Sequence, residues 1–448
     1  MAEVRHPYRV LTALIMASIV IPLNSTMIAT ELDPIAQSLS TSLSSVVWIV
    51  TTYLIIMAAV QPISGKLGDL YGSRRLLNLG LWLFLLFSVI GALIPDFPAL
   101  IAARLGQALG GALVIPNAMA MARHSFHEDS LRHNLGMIGM AQGLGAATGP
   151  FLGSLLIQLG GWPAMFWVNV PIIGSALVAS ALVLPKDLLR KKAPPIDVFG
   201  ALSLAGFLAL FALSMPETSL AMGRLRLLWA VIALILLMSF IRVEHHVLAP
   251  IVYLPFFRQP AFRYANLANL VNNFFMYSTL LYVPIVLRHL NFAMPAIGEL
   301  LFFFSLVMSW TSWLGSRLSV IRDRRILIMT SFLLDFIVTG WYELLPSHHH
   351  WAFLIIGLLI AGMGAGIGNV AMQTIVLESV DLSAAGSASG IYATFRYIGS
   401  ILAASLLEIM VQKPAVHLIL LLAPLGFGLM ISWALLKSRV DPSSSLSP

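Results

Sequence analysis

The chain has 448 residues, of which 59% are hydrophobic and 10% charged, with a formal net charge of +7. A soluble globular domain carries roughly 25% charged residues, so most of this surface must face lipid, and the spacing of the basic residues fits membrane topology better than a nucleic-acid partner. No cysteine is present, which excludes disulfides and thiolate metal sites.

Fourteen stretches approach the length and apolarity that a bilayer crossing needs, roughly 20 residues of helix. They are 9–30, 46–63, 76–94, 97–121, 133–157, 164–184, 196–214, 226–243, 263–287, 295–317, 325–344, 352–374, 386–408 and 414–436. Arg5 and Arg9 give the first stretch the look of a secretion leader. Its apolar run of about 20 residues lacks a small-residue cleavage site, so it reads as the first span. Helices are expected because lipid offers backbone groups no partners. Short turns such as Pro95-Asp96-Phe97-Pro98 separate neighbours. With the N-terminus in the cytoplasm, about 20 Lys and Arg residues fall inside and about 4 outside. The clusters Arg74-Arg75, Lys186/Arg190/Lys191/Lys192, Arg322/Arg324/Arg325 and Lys437/Arg439 all fall inside. An even number of spans returns the C-terminus to the cytoplasm. The expectation is a multi-pass protein of the inner (plasma) membrane with both termini cytoplasmic and a disordered Ser-rich tail, 441–448.

Between spans 2 and 3 the chain reads Gly65-Lys-Leu-Gly68-Asp69-Leu-Tyr-Gly72-Ser-Arg74-Arg75, and a blurred copy, Gly315 to Arg325, lies between spans 10 and 11. Equivalent loops in equivalent places imply two six-helix bundles, 1–185 and 244–448, with two inserted transmembrane helices in 186–243. The fold class is therefore all-α integral membrane, with about 14 transmembrane helices. The first loop resembles the signature loop of the major facilitator superfamily, with Leu70 where its first Arg would stand. Fourteen spans and the Pro194-Pro195-x-Asp197-x-x-Gly200 approach to span 7 resemble the superfamily's drug:proton antiporter branch. That resemblance implies that Gly65, Asp69, Gly72, Arg74 and Arg75 form a cytoplasmic gate latching the two bundles in the outward-open state. From the residues alone, Asp69 either pairs with an Arg or faces a helix N-terminus.

In span 1 the branch carries a carboxylate where this chain has Asn24, which cannot titrate. Glu31 and Asp33 stand near the outer end of that span, either as proton or cation access points or as solvated loop residues. Span 4 holds Arg104 some eight residues from its outer end, too deep to reach water easily. An intramembrane Arg costs roughly 2.5–3.5 kcal/mol on insertion scales, so it should face a cavity or a partner. Arg104 and Gln107 resemble the superfamily's span-4 motif, which implies a part in proton coupling. Gly145, Gly149, Pro150 and Gly153 in span 5 permit close packing and a bend. They resemble the antiporter motif, with Ser154 replacing its last Gly, and so imply export. The run Trp162 to Pro171 resembles a branch pattern at the start of span 6 and reads equally as an interfacial aromatic anchor.

In the second half, Asn266, Asn269, Asn273 and Tyr277 fall on nearly one helix face, a candidate polar lining. Asp335 sits mid-span as a lone carboxylate, a functional candidate by default. Span 12 carries Gly362, Gly364, Gly366 and Gly368, for packing or bending. Arg396 in span 13 either pairs with Asp335 or binds an anion. Asp335, Arg104, Glu31 and Asp33 are thus the proton-coupling candidates, and Asn24, Gln107, Gln142, Asn269, Asn273, Tyr277 and Arg396 the substrate-cavity candidates. Three successive histidines, His348 to His350, point in different directions on most backbones, so no metal site is expected. No nucleotide-binding Gly-rich loop and no convergent catalytic set is seen, so neither a cofactor nor an enzyme activity is expected. The expected function is proton-coupled export of small hydrophobic or cationic compounds by alternating access. Its partners are the substrate, protons and the bilayer, and the protein is expected to be a monomer. The alternative is a facilitator or a carrier of lipid-like substrates, with a membrane sensor or enzyme as a remoter reading.

Overall fold

In the computed structural model, the apolar runs of the sequence are helices, and no strand occurs among the described residues. The structure describes residues 7–29, 31–94, 96–187, 197–214, 225–247, 250–345, 347, 350–412, 426, 428, 430 and 431. The helices are α1 (Pro7–Ala29), α2 (Leu32–Ser38), α3 (Leu43–Tyr71), α4 (Ser73–Leu93), α5 (Phe97–Ser125), α6 (Glu128–Gly160), α7 (Ala164–Trp167) and α8 (Asn169–Val183). They continue with α9 (Val198–Ser214), α10 (Arg226–His246), α11 (Pro260–His289), α12 (Met294–Ile321), α13 (Arg324–Leu344), α14 (Trp351–Ile367), α15 (Asn369–Glu378) and α16 (Ala385–Gln412). Among the described residues, ten helices are long and apolar enough to cross a membrane. Nearly all of the expected span 414–436 lies outside the described residues, as do Pro95, Lys191, Lys192, Pro194, Pro195, His348, His349, Lys413 and the Ser-rich tail.

Several helices outrun their expected bounds. The Gly65–Tyr71 stretch belongs to α3 rather than to a loop, and the reversal is confined to Gly72 at φ +106°. A side chain there would be strained, and it would also strike Asp187, whose carboxylate accepts from the Arg74 and Arg75 amides at 3.0 and 3.1 Å. Asp187 thereby satisfies the first amides of α4, where negative charge is favoured. The expected span 6 runs as one membrane-length helix, Ala164–Val183, with a single turn residue at Val168 whose backbone stays in the right-handed helical region. The expected span 12 runs as one membrane-length helix, Trp351–Glu378, with a single turn residue at Gly368 whose backbone stays helical, and its Gly362 and Gly366 lie close on the α12 backbone. Trp162 and Phe166 are buried edge to face against each other, with ring centres 5.9 Å apart. These two rings fill a core with Met27, Leu100 and Ala103, so of the run's aromatic residues the interfacial-anchor reading is left to Trp167, which is 45% exposed.

Two groups of helices emerge from the packing. In the first, α4 lies on α5, α1 on α6 and α8, and α3 on α5. In the second, α11 lies on α16, α12 on α14, and α13 on α14. Two seams join the groups, α3 against α16 and α6 against α12. The pair α9–α10 docks through α9 onto α3. Asp197 caps α9 by accepting from the Gly200 amide at 2.8 Å, and Glu244 accepts from the Ile251 and Val252 amides at 3.1 and 3.3 Å. Outer faces are apolar, as on α4 (Leu79, Trp82, Leu86), α10 (Leu227, Val231, Leu234) and α13 (Met329, Leu333, Phe336). On α13 these exposed positions recur at helical spacing, opposite a buried stripe of Ile328, Ser331 and Asp335.

Candidate functional site

Polar side chains buried in an apolar helix must find one another, and in the first group they do. Asn24 of α1 donates to Gln107 Oε1 of α5 at 3.2 Å, and Asn169 of α8 donates to Asn24 Oδ1 at 3.3 Å. Arg104 Nη1 donates to the same Gln107 oxygen at 3.1 Å, while Gln107 Nε2 donates to Ser88 Oγ of α4 at 2.9 Å. The Arg104 guanidinium, fully buried, stacks on Tyr53 of α3 with its carbon 4.2 Å from the ring centre. Such a cation over an aromatic face is attracted by the ring quadrupole. Five helices thus meet at one uncharged network with a single buried cation. Arg104 Nε and Nη2 and the Tyr53 hydroxyl have no hydrogen-bond partner among the described residues. Tyr53, Ser88 and Asn169 were not singled out by sequence. Asn169 was visible within the Trp162–Pro171 pattern, whose aromatic residues drew the reading.

In the second group, Asn273 Nδ2 donates to Asn269 Oδ1 at 2.8 Å, and Asn269 Nδ2 donates to the Tyr392 carbonyl of α16 at 2.7 Å. These bonds tie α11 to α16. Tyr277 lies in electrostatic range of Tyr397 and Arg396. Arg396 stands 5.1 Å from the centre of the Tyr397 ring. Arg396 and Gln142 line a cavity of about 20 Å³ between α5, α6, α15 and α16, with Asn369, Gln373 and Ser389. That space suits one water and is far below the few hundred Å³ of a small-molecule site.

Asp335 is buried on α13, whose main neighbours are α14, α15, α12 and α11 of its own group. Its Oδ1 faces Gly364 of α14, where an added Cβ would stand 2.5 Å away, and its Oδ2 has no hydrogen-bond partner. One turn away, Ser331 donates to the Gly364 carbonyl at 2.6 Å and to Asn272 Oδ1 at 3.1 Å. Asp335 faces Gly364 and lies in electrostatic range of Tyr342, whereas Arg396 stands beside Tyr397 and the polar residues of its cavity, so among the described residues the two are not brought together as an ion pair. Glu31, between α1 and α2, is half-buried, and burial pushes its carboxyl from 4.5 up to about 7. Its stem packs near Gly153 of α6. The side chain of Asp33 lies outside the described residues.

At the end of the molecule that carries Arg74, Arg75, Arg324 and Arg325, the basic face, Asp69 bridges the two groups. Its oxygens accept from the Gly386 amide at 2.9 Å, the Ser387 amide at 2.8 Å and the Ser387 hydroxyl at 2.6 Å. A carboxylate on the first amides of α16 is the favourable end of that helix's dipole. Of the two partners open to Asp69 in the sequence, the helix N-terminus is the one observed. Beside it, Gly65 and Gly386 touch through backbone, and Thr394 donates to the Ala58 carbonyl at 2.9 Å. Gly145, Gly149 and Gly153 serve α1 in the same way, meeting Ile19, Thr26 and Met27, with Pro150 inside the helix.

The sequence profile of the Major Facilitator Superfamily matches residues 14–404, and again 265–447. The chain belongs to this superfamily. Among superfamily relatives, an uncharacterized MFS-type transporter, YvkA of Bacillus subtilis (strain 168), is 36% identical over 406 residues, 90% of each chain. Multidrug resistance protein Stp of Mycobacterium tuberculosis (strain CDC 1551 / Oshkosh) is 27% identical over 386 residues, covering 84% of this chain and 71% of Stp. The crystal structure of the human organic anion transporter MFSD10 (TETRAN) superposes with a TM-score of 0.69, over 96% of this chain and 99% of that one, at 16% identity. At that identity the likeness concerns the fold. The superfamily relatives are transporters, some of them drug-resistance proteins, and this chain is a multi-pass membrane transporter.

Proposed function

We propose that this transporter is a proton-coupled exporter of small, mostly apolar compounds, of the fourteen-span drug:proton antiporter branch, working by alternating access. The observation that carries it is the Asp69 bridge to α16, a detachable charge-assisted contact between two helix groups around a buried polar centre. In this reading residues 1–185 and 244–448 rock against each other. The inserted helices 186–243 ride on the first bundle, and the basic face is cytoplasmic, with both termini. Asp69, Gly65, Gly72, Arg74 and Arg75 then form the cytoplasmic gate, shut in this state. Protons would be exchanged at Asp335, with Glu31 and Asp33 as outer access points, while Arg104 couples the proton to the cavity. Substrate and proton must bias the two access states differently for transport to be driven. The resemblance of 145–153 to the antiporter motif and the drug-resistance relatives support export. The protein would act as a monomer in the inner (plasma) membrane.

The test is uptake into inside-out vesicles with and without an imposed pH difference. Accumulation that follows the pH difference supports the reading, and equilibration that ignores it rejects proton coupling. Asn24, uncharged where the branch has a carboxylate, is the feature that favours the second reading, a facilitator on the same fold.

A further inference from the structure

We propose that the seam between the two helix groups takes a small apolar or aromatic compound bearing an acidic group, a carboxylate or its like, rather than a cation. This deepens the transport reading and rests on α5 and α16 lining the substrate path.

The argument begins with what Arg104 lacks. The residue is fully buried, and only its Nη1 has a hydrogen-bond partner, Gln107. Nε and Nη2 have none. These are the adjacent N–H groups on one edge of the guanidinium, the edge that grips both oxygens of a carboxylate in parallel. Among the described residues the network that holds the cation is uncharged, comprising Asn24, Gln107, Asn169, Ser88 and the Tyr53 ring.

Tyr53 also ties this centre to the other side of the seam. It lies in electrostatic range of Arg396, Tyr397 and Tyr277 of the second group, as well as of Arg104. Tyr53 is thus within electrostatic range of two arginines and two further tyrosines, and among the described residues no Asp or Glu acts on Tyr53 or Arg104. A cation brought there would meet like charge with nothing to offset it. An anion would satisfy the orphaned edge of Arg104, the unpartnered Tyr53 hydroxyl and the second cation together. The tyrosine faces, with Ile115 and Met119 beside Arg396, supply apolar contact for the rest of the molecule. Asn24 completes the logic, because a carboxylate at that position would neutralise Arg104 and compete with an acidic substrate.

Equilibrium binding tests this without any gradient, so it stands or falls separately from proton coupling. Purified full-length protein in nanodiscs is titrated with 2-naphthoate, its methyl ester and 2-(aminomethyl)naphthalene, read by fluorescence. The acid is expected to bind about tenfold or more tightly than the ester, the scale of hydrogen bonds to charged groups, and the ammonium more weakly than the ester. Arg104→Gln should erase the preference of acid over ester. Arg104→Lys, which keeps the charge without the fork, should restore part of it. Equal or tighter binding of the ammonium, no preference for the acid, or no binding of any of the three overturns the proposal. So does an acid preference that survives in Arg104→Gln.

Discussion

Arg104 and Asp335 are the two groups of opposite charge set deepest in the molecule, and they are buried in different ways. Arg104 sits where helices α1, α3, α4, α5 and α8 converge, in a side-chain network that extends through Tyr53 toward the second group. Asp335 sits against the backbone of α14, within its own group, with Ser331 one turn away bonded to a carbonyl of that helix. A charge held by other side chains can change partners when helices rock. A charge packed against a glycine backbone can do so only if α13 and α14 themselves separate. Depth in the membrane is thus a poor guide to role unless the neighbours are known.

The strongest way to break this comparison is Arg104→Ala. Inserted protein should persist, while gradient-driven transport falls by roughly a hundredfold or more, the scale of losing charge-assisted bonds in a buried site. Transport at the wild-type rate would make Arg104 as structural as its stacking on Tyr53 allows. Next in size is Asp335→Asn, which keeps shape and removes titration. If Asp335 carries the proton, exchange at equal pH persists, and accumulation under a pH difference is lost at least about tenfold. Retained accumulation would hand the role to Glu31. A sharper contrast comes from Asn24→Asp, which places a carboxylate two hydrogen bonds from Arg104. Its expected effect is a severalfold weaker preference for an acidic probe over its ester, and an unchanged preference would separate Asn24 from the Arg104 centre.

The smallest effect belongs to Glu31. Its folded carboxyl titrates at about 7 rather than 4.5, so the folded state holds the proton more tightly than the unfolded chain. Wild-type stability should therefore decline as pH rises between those values, whereas Glu31→Gln has nothing to lose there. Thermal melts should coincide below pH 4.5 and part by pH 8, with the variant melting slightly later. Melts that stay parallel throughout would mean that Glu31 does not titrate in that window.

Much of this was legible in the sequence because it is written in local patterns. Hydropathy marked the helices, and the run Gly65–Arg75 marked a reversal with a basic flank. Asp69 could be assigned a helix N-terminus as one of two partners, although α16 lies more than three hundred residues away. What escaped was pairing across the bundle. Asn169 is one asparagine in an aromatic-rich run, and only the fold brings it to Asn24. Asp187 stands inside the basic cluster Lys186/Arg190/Lys191/Lys192 and nothing local marks it out, yet it holds both Arg74 and Arg75 through their amides. Asp335 reads from the sequence as a lone mid-span carboxylate, but hydropathy cannot say which helix its face meets. The helical Gly65–Tyr71 stretch was taken for a loop because glycine and charge interrupt the apolar run, although neither breaks the backbone pattern.

The contact beside Asp69 has a consequence of its own. A Cβ at Gly65 would stand 2.0 Å from the Gly386 carbonyl oxygen, and one at Gly390 would stand 2.4 Å from that of Gln61. Here two main chains rest on each other with no side chain between them. Attraction at Asp69 can be weakened by degrees, through pH, salt or a neighbouring charge. Steric fit at a bare backbone cannot, because a single methyl group acts as a wedge. The contact is therefore specified twice, once by a bond that water and protons can loosen and once by vacant space that only a change of residue can fill. Alanine at Gly65 would hold this end ajar with every charged group intact, and so part the mechanics of closure from its chemistry.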